Sequence, residues 1–189
     1  MSTKNIMIVG VGGQGTLLAS RILGNAVIRH GYDVKVSEVH GMSQRGGSVV
    51  TYVKFGDAVH SPIIDKGEAD IILAFELLEA YRALPWLKKG GKMIVNTQMI
   101  NPMPVITGAA TYPENILEKL GESIDVTSLD ALSLALQAGT AKAANVVLIG
   151  VMAKSTSIPY EEWVETVRAS VPPKFVDVNL KAFELGYNL

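Results

Sequence analysis

The sequence predicts an α/β fold: a largely parallel sheet with one β-hairpin and helices on both faces. Three observations carry this. Short, continuous apolar runs alternate with segments of helical period, as buried parallel strands alternate with their crossovers. A glycine-rich turn joins the first apolar run to the first helical segment. One stretch alternates apolar and polar residues strictly, the pattern of a half-buried strand.

The elements follow in order. Ile6, Met7, Ile8 and Val9 form the first buried run, ended by Gly10. Leu17, Leu18, Ile22, Ala26 and Val27 recur at helical spacing, and Gly31 stands where that helix would stop. Val34, Val36 and Val39 mark a second strand. Over residues 48–55, Val49, Thr51, Val53 and Phe55 share one face, and Val50, Tyr52 and Lys54 the other. This strand is expected to enter a hairpin closed near Gly56-Asp57 and to return through Val59. Residues 69–75 read as a buried strand, 77–87 as a helix interrupted by Pro85, Gly90-Gly91 as a turn and 93–95 as the next strand. Asn101-Pro102-Met103-Pro104 argues against a helix and reads as a loop or extended edge. A short helix over 113–120, a short strand over 124–126 and a helix over 129–137 stopped by Gly139 come next. Residues 145–154 read as a mostly buried helix. Pro159 opens an amphipathic helix carrying Tyr160, Trp163, Val164 and Val167, and a last helix over 179–185 is stopped by Gly186. With no repeat or linker, residues 1–189 are expected to form one Rossmann-like domain.

Composition narrows the function. The 189 residues are 48% hydrophobic and 19% charged, which suits a packed core and excludes disorder. Lys+Arg number 17 against 18 Asp+Glu, so the basic excess of a protein that lives on nucleic-acid phosphates is lacking. No apolar stretch approaches the roughly 20 residues of a membrane span, and a soluble, cytoplasmic chain is expected. Cysteine is absent, which excludes disulfides, a thiol nucleophile and a cysteine-held iron–sulfur cluster in this chain. The spacing of His30, His40 and His60 fits no metal site.

Gly10-Val11-Gly12-Gly13-Gln14-Gly15 satisfies G-x-G-x-x-G between a strand and a helix. In such a loop Gly10 permits the tight turn, Gly12 lets a phosphate approach and Gly15 lets the helix pack on the strand. The helix N-terminus adds N–H groups and a positive partial charge. Glu38 stands at the end of the second strand, where a dinucleotide fold places an acid on the ribose hydroxyls. Dinucleotide binding is one reading of this loop, and a plain strand–helix turn is another.

A second polar loop runs Glu38-Val39-His40-Gly41-Met42-Ser43-Gln44-Arg45-Gly46-Gly47. Loops leaving strand C-termini line the ligand crevice of such sheets, so this one is expected beside the glycine loop. Arg45 offers a fixed charge to phosphate or carboxylate. Ser43 and Gln44 offer neutral hydrogen bonds, and Gly46-Gly47 let backbone N–H groups converge on an anion. The plainer alternatives are a strand-capping His40 and a surface ion pair for Arg45.

These segments carry a family resemblance. GVGGQG, EVHGMSQRGGSVVTYVKFG, EADIILAFELLEA, GGKMIVNT, AANVVLIG and KFVDVNLKAFELG together resemble the gamma-type subunits of 2-oxoacid:ferredoxin oxidoreductases, nearest the indolepyruvate type. The resemblance spans essentially the whole chain. It implies oxidative decarboxylation of a 2-oxoacid, indolepyruvate or another aryl pyruvate, to an acyl-coenzyme A, CO2 and reduced ferredoxin. It implies that thiamine diphosphate with its magnesium and the iron–sulfur clusters sit on a larger partner chain, and that ferredoxin is reached through the complex. Coenzyme A is then the phosphate-bearing ligand. Gly12, Gly13, Gln14 and Gly15 would face it. Ser43, Gln44, Arg45 and Gly46 would line the same crevice or touch the partner, and Asn96 and Thr97 would form a third polar loop. No residue is expected to act as a catalytic acid or base.

Other residues have plainer expected roles. Asn145 is expected near a helix cap or at an interface, and Trp86 and Trp163 as packing anchors. Glu76 and Glu79 would favour a helix start, and Lys88-Lys89 a helix end. Two other functions stay open: a stand-alone NAD-binding redox or sensor domain, and an interaction module without a ligand. So does a homodimer of the isolated chain.

Overall fold

A computed structural model describes residues 3–41 and 46–189 of the chain. Six strands, β1 (Lys4–Val11), β2 (Asp33–His40), β3 (Ser48–Gly56), β4 (Ala69–Ala74), β5 (Leu87–Asn96) and β6 (Asp125–Leu129), form one sheet in the order β2-β3-β1-β4-β5-β6. β1, β4, β5 and β6 pair in parallel, while β3 runs antiparallel to both β1 and β2. The helices are α1 (Thr16–Arg29), α2 (Leu77–Ala83), α3 (Met103–Ile106), α4 (Ile116–Gly121), α5 (Ala131–Ala138), α6 (Ala144–Ala153), α7 (Tyr160–Ser170) and α8 (Val176–Tyr187).

The period-2 alternation of each strand splits the core into two layers. Ile6, Ile8, Val53, Phe55, Leu73 and Ile94 face α1, α5, α6, α7 and α8. Met7, Val9, Ile72, Met93 and Val95 face α2 and α4. Trp163 is fully buried in the first layer. Trp86 packs at the margin of the second, with the Lys66 ammonium 5.3 Å from its ring centre.

Five expectations are corrected. The hairpin joins β2 to β3, with Asp33 opposite Gly56 and His40 opposite Val49. No strand returns through Val59, because β1 and β2 already occupy both edges of β3. Val59 instead donates its N–H to Asp33 Oδ2 at 2.8 Å. Gly90-Gly91 lie inside β5 rather than in a turn before it. The β4 register jumps there, with Ala69 opposite Leu87 and Ile71 opposite Lys92. A Cβ on Gly91 would stand 3.0 Å from the carbonyl oxygens of Ala69 and Asp70, so the glycines serve an irregularity in the ladder. Lys88 and Lys89 accordingly belong to a strand, not to a helix end.

The other two corrections concern helix ends. Met103 and Pro104 open α3 after an extended Pro102, since a proline in a first turn lacks only an N–H that has no helical partner. Gly186 does not stop the last helix, which runs on to Tyr187. Every residue of α6 from Asn145 to Ala153 is buried, as a helix apolar on all sides must be. α8 covers it at backbone contact. A Cβ on Gly186 would run into the Val147 carbonyl oxygen, and one on Gly150 would lie 2.8 Å from the Tyr187 nitrogen. Gly186 is therefore a packing residue.

Candidate functional site

After β1 the chain crosses to α1 on one face, and after β4 to α2 on the other. The C-terminal ends of β1 and β4 thus form the switch point at which open α/β sheets bind ligands. The glycine loop sits there. Gly15 is the N-cap of α1 in the left-handed conformation, φ 84° and ψ 26°, and no side chain caps the helix. A Cβ on Gly15 would lie 2.6 Å from Asn145 Nδ2. The close neighbour of Gly15 is therefore the first turn of α6 rather than the strand. Gly13 is the open tip, with nothing within 4 Å of where its Cβ would be.

Gln14 turns inward. Its Oε1 accepts the Val11 N–H at 2.7 Å, and its Nε2 donates to the Phe75 carbonyl at 2.8 Å and to Gln98 Oε1 at 3.0 Å. Asn96 is buried; its Nδ2 also donates to the Phe75 carbonyl, at 3.0 Å, while its Oδ1 accepts the Ala131 N–H at 3.1 Å. Asn145, buried too, donates to the Gly15 carbonyl at 3.2 Å. These three amides lace the ends of β1, β4 and β5 to α1, α5 and α6. The backbone of Thr97 extends the lacing through its N–H to the Leu129 carbonyl at 2.9 Å. Buried amides need partners. An amide inside a glycine loop was the sequence signal for this bracing.

The second loop does meet the first. The Gly12 N–H donates to the Gly47 carbonyl at 2.8 Å, and the Gly46 N–H to the Gly12 carbonyl at 3.2 Å. Ser43, Gln44 and Arg45 lie outside the described residues. Glu38 is set apart. It is opposite Thr51 of β3, which is opposite Ile8 of β1, so two strand spacings, roughly 10 Å, separate it from β1. It accepts the Thr51 hydroxyl at 3.2 Å.

Two carboxylates expected at a helix start stand there, at the C-terminal end of β4. Glu76 is 1% exposed and caps α2 by accepting the Glu79 N–H at 2.9 Å. Its other oxygen accepts the Ile100 N–H at 2.9 Å and the Tyr112 hydroxyl at 2.5 Å. Burial first, and then this bond to Glu76, hold the Tyr112 hydroxyl protonated well above the ordinary tyrosine range. Glu79 accepts the Ser48 hydroxyl at 2.5 Å and an Arg82 N–H at 2.6 Å, so it ties α2 to the start of β3. Leu17, Met99, Met103 and Ile106 stand exposed on segments that follow the glycine loop and β5.

Among the described residues no group of His, Asp and Glu side chains is arranged to hold a metal ion. Nor is any helix among them long and apolar enough to cross a membrane.

Residues 5–189 match the family model for pyruvate ferredoxin/flavodoxin oxidoreductase. The chain is 48% identical to the indolepyruvate oxidoreductase subunit IorB of Pyrococcus horikoshii, over 98% of this chain and 95% of that protein. It is 43% identical to the subunit of the same name in Archaeoglobus fulgidus, over 97% and 94%. The gamma subunit of a keto/oxoacid ferredoxin oxidoreductase from Geobacter sulfurreducens superposes with a TM-score of 0.73 at 26% identity, covering 98% of this chain and 96% of that one. Subunit PORC of a Thermotoga maritima pyruvate oxidoreductase shares the fold, with a TM-score of 0.77 at 21% identity over 100% and 97%. The glycine loop braced by Gln14 and paired with Gly46-Gly47 therefore sits in a chain that belongs to the pyruvate ferredoxin/flavodoxin oxidoreductase family, as a gamma-type subunit.

Proposed function

We propose that this chain serves an enzyme that oxidises an aryl 2-oxoacid of the indolepyruvate class with coenzyme A, releasing CO2 and passing two electrons to ferredoxin. One observation carries the substrate class. Four near-full-length relatives, 40% to 48% identical, are each named as an indolepyruvate oxidoreductase subunit. With no cysteine, this chain has no thiolates for an iron–sulfur cluster. Nor do its residues fit thiamine diphosphate with magnesium, since Gly56-Asp57 merely ends an internal strand. Those groups belong to a larger partner chain.

The contribution of this chain is the crevice edge. The open Gly13 tip and the uncapped start of α1 support a role on the phosphate side of coenzyme A. Gly12, Gly15, Gly46 and Thr97 shape that edge, Gln14 and Asn96 hold it, and Ser43, Gln44 and Arg45 complete it. Gly10, packed against Phe75, seats the loop. Glu38, bonded to Thr51, belongs to the alternative NAD reading. The exposed Leu17, Met99, Met103 and Ile106 suit docking of the larger chain.

The test is isolation of the native complex, with subunit masses, visible absorbance, thiamine content and ferredoxin reduction measured on indolepyruvate. A brown, thiamine-containing complex active on aryl 2-oxoacids is expected. A colourless homo-oligomer without a partner would sink the proposal. Within the complex, Arg45→Ala should raise KM for coenzyme A while leaving KM for the 2-oxoacid unchanged. Unaltered kinetics would remove Arg45 from the site.

A further inference from the structure

The edge of the sheet opposite the glycine loop holds a cleft of about 600 Å³. Lys4 at the start of β1, Lys88, Lys89 and Lys92 in β5, and Lys154 just beyond α6 line it, against the single carboxylate of Asp70. Five of the 17 basic residues of a chain with net charge −1 thus converge on one cleft. Little neutralises them. Asp70 pairs with Lys88 at 3.1 Å, and its second oxygen accepts the Asn5 N–H at 3.0 Å. Lys92 pairs with Asp125, at 3.9 Å. Lys4, Lys89 and Lys154 make no ion pair among the described residues. The negative end of α6 favours a cation at Lys154, but no helix end accounts for Lys4 or Lys89.

Both walls are built. Against two residues of β4, from Ala69 to Ile71, β5 advances from Leu87 to Lys92, and the excess chain carries Lys88 and Lys89 out to the cleft. Such irregularities re-aim side chains at functional edges. The opposite wall is held from within. The Thr156 hydroxyl donates to the Ala153 carbonyl at 2.7 Å and accepts the Trp163 Nε1–H at 3.3 Å. Between the walls lies an apolar floor of Ile6, Phe55 and Ile158, each at most 5% exposed.

We infer that this cleft binds a small molecule carrying two or more phosphate charges, of about nucleotide size. The volume falls within the roughly 300–1,000 Å³ of small-molecule sites. Lysine ammonium groups bind phosphate as point charges. The site is separate from the glycine loop and does not rest on the function proposed above.

Calorimetric titration of the full chain with inorganic tripolyphosphate, and with ADP, tests it. Saturable binding of one equivalent is expected, falling with added salt. Lys89→Ala/Lys154→Ala should weaken it at least tenfold, and Lys89→Arg/Lys154→Arg should retain it. Leu17→Glu, which puts a carboxylate beside the glycine loop, should leave it unchanged. Loss in Leu17→Glu with the alanine pair unaffected would move the anion to the glycine loop and overturn the inference. So would saturation by polyglutamate but by neither small anion, which would make the cleft a surface for an acidic polypeptide.

Discussion

Replacing Gln14 by glutamate exchanges one NH2 for an oxygen in a half-buried side chain. The bond from the Val11 N–H, 2.7 Å, survives, because it ends on the oxygen that both side chains share. The two bonds donated by Nε2, to the Phe75 carbonyl and to Gln98 Oε1, are lost. A carboxylate then faces two acceptors. Each lost bond costs about 0.5–1.5 kcal/mol and an unsatisfied buried group about 1–3 kcal/mol. The Phe75 carbonyl keeps the Asn96 amide and Gln98 can turn its own amide, which relieves part of the cost. We expect a loss of about 2–4 kcal/mol at neutral pH, or roughly 4–16 °C in Tm for a chain of this size.

The pH dependence sharpens this test. Two acceptors raise the folded-state pKa of the introduced carboxyl group above the unfolded glutamate value of about 4.3, because only the protonated acid can donate. The stability of the variant is then intact below about pH 4.3 and is lost as pH rises through the raised value. Urea unfolding of wild type and Gln14→Glu at several pH values measures the gap. It should narrow on acidification and widen towards about pH 8. A variant as stable as wild type at pH 8, or a gap that widens in acid, would falsify the inward orientation of Gln14.

Three more perturbations separate packing from propensity. Gly186→Ala should destabilise by about 1–3 kcal/mol, because the new Cβ meets the Val147 carbonyl; helix propensity alone predicts a gain of about 1 kcal/mol, so a raised Tm would refute the contact. Gly15→Ala should cost about 1–2 kcal/mol for the left-handed backbone and more for the clash with Asn145. Adding Asn145→Ala should recover the second part only, and strict additivity in the double-mutant cycle would count against it. Tyr112→Phe should cost about 1–2 kcal/mol by removing the bridge from Leu78 to Glu76. Because burial and Glu76 raise the Tyr112 pKa, the wild type should lose stability as pH rises past about 10, where unfolded tyrosine ionises. That slope should flatten in Tyr112→Phe when denaturation is followed at alkaline pH.

Local pattern made most of the elements legible. Residues 71–74 of β4 form a continuous apolar run, and β3 alternates along its length, so strand type could be read directly. Neighbours could not. Nothing local in residues 48–55 tells that both edges of the strand are taken, and the return through Val59 fails for that reason alone. Glycine was the least legible residue. Gly31 marks a helix end and Gly186 a helix contact, and only the backbone on the far side distinguishes them. At the site, residue types indicated polarity but not direction. Gln14, expected towards a ligand, and Asn96, expected in a polar loop, spend their amides on carbonyls and N–H groups of neighbouring strands and helices.

Direction is also what separates this loop from a complete dinucleotide site. Such a site needs a phosphate end at the first glycine loop and a ribose end on the adjacent strand. Here the helix start and the Gly13 tip are kept open. The strand next to β1 is β3, antiparallel, and it displaces β2 and Glu38 by one full strand spacing. Thr51 then claims the carboxylate. The fold thus keeps the helix start open and gives up the position of the ribose-binding acid. A chain built this way can contribute one side of a site whose other side comes from elsewhere. The displaced Glu38, already bonded to Thr51, fits that one-sided role better than it fits a self-sufficient dinucleotide-binding domain.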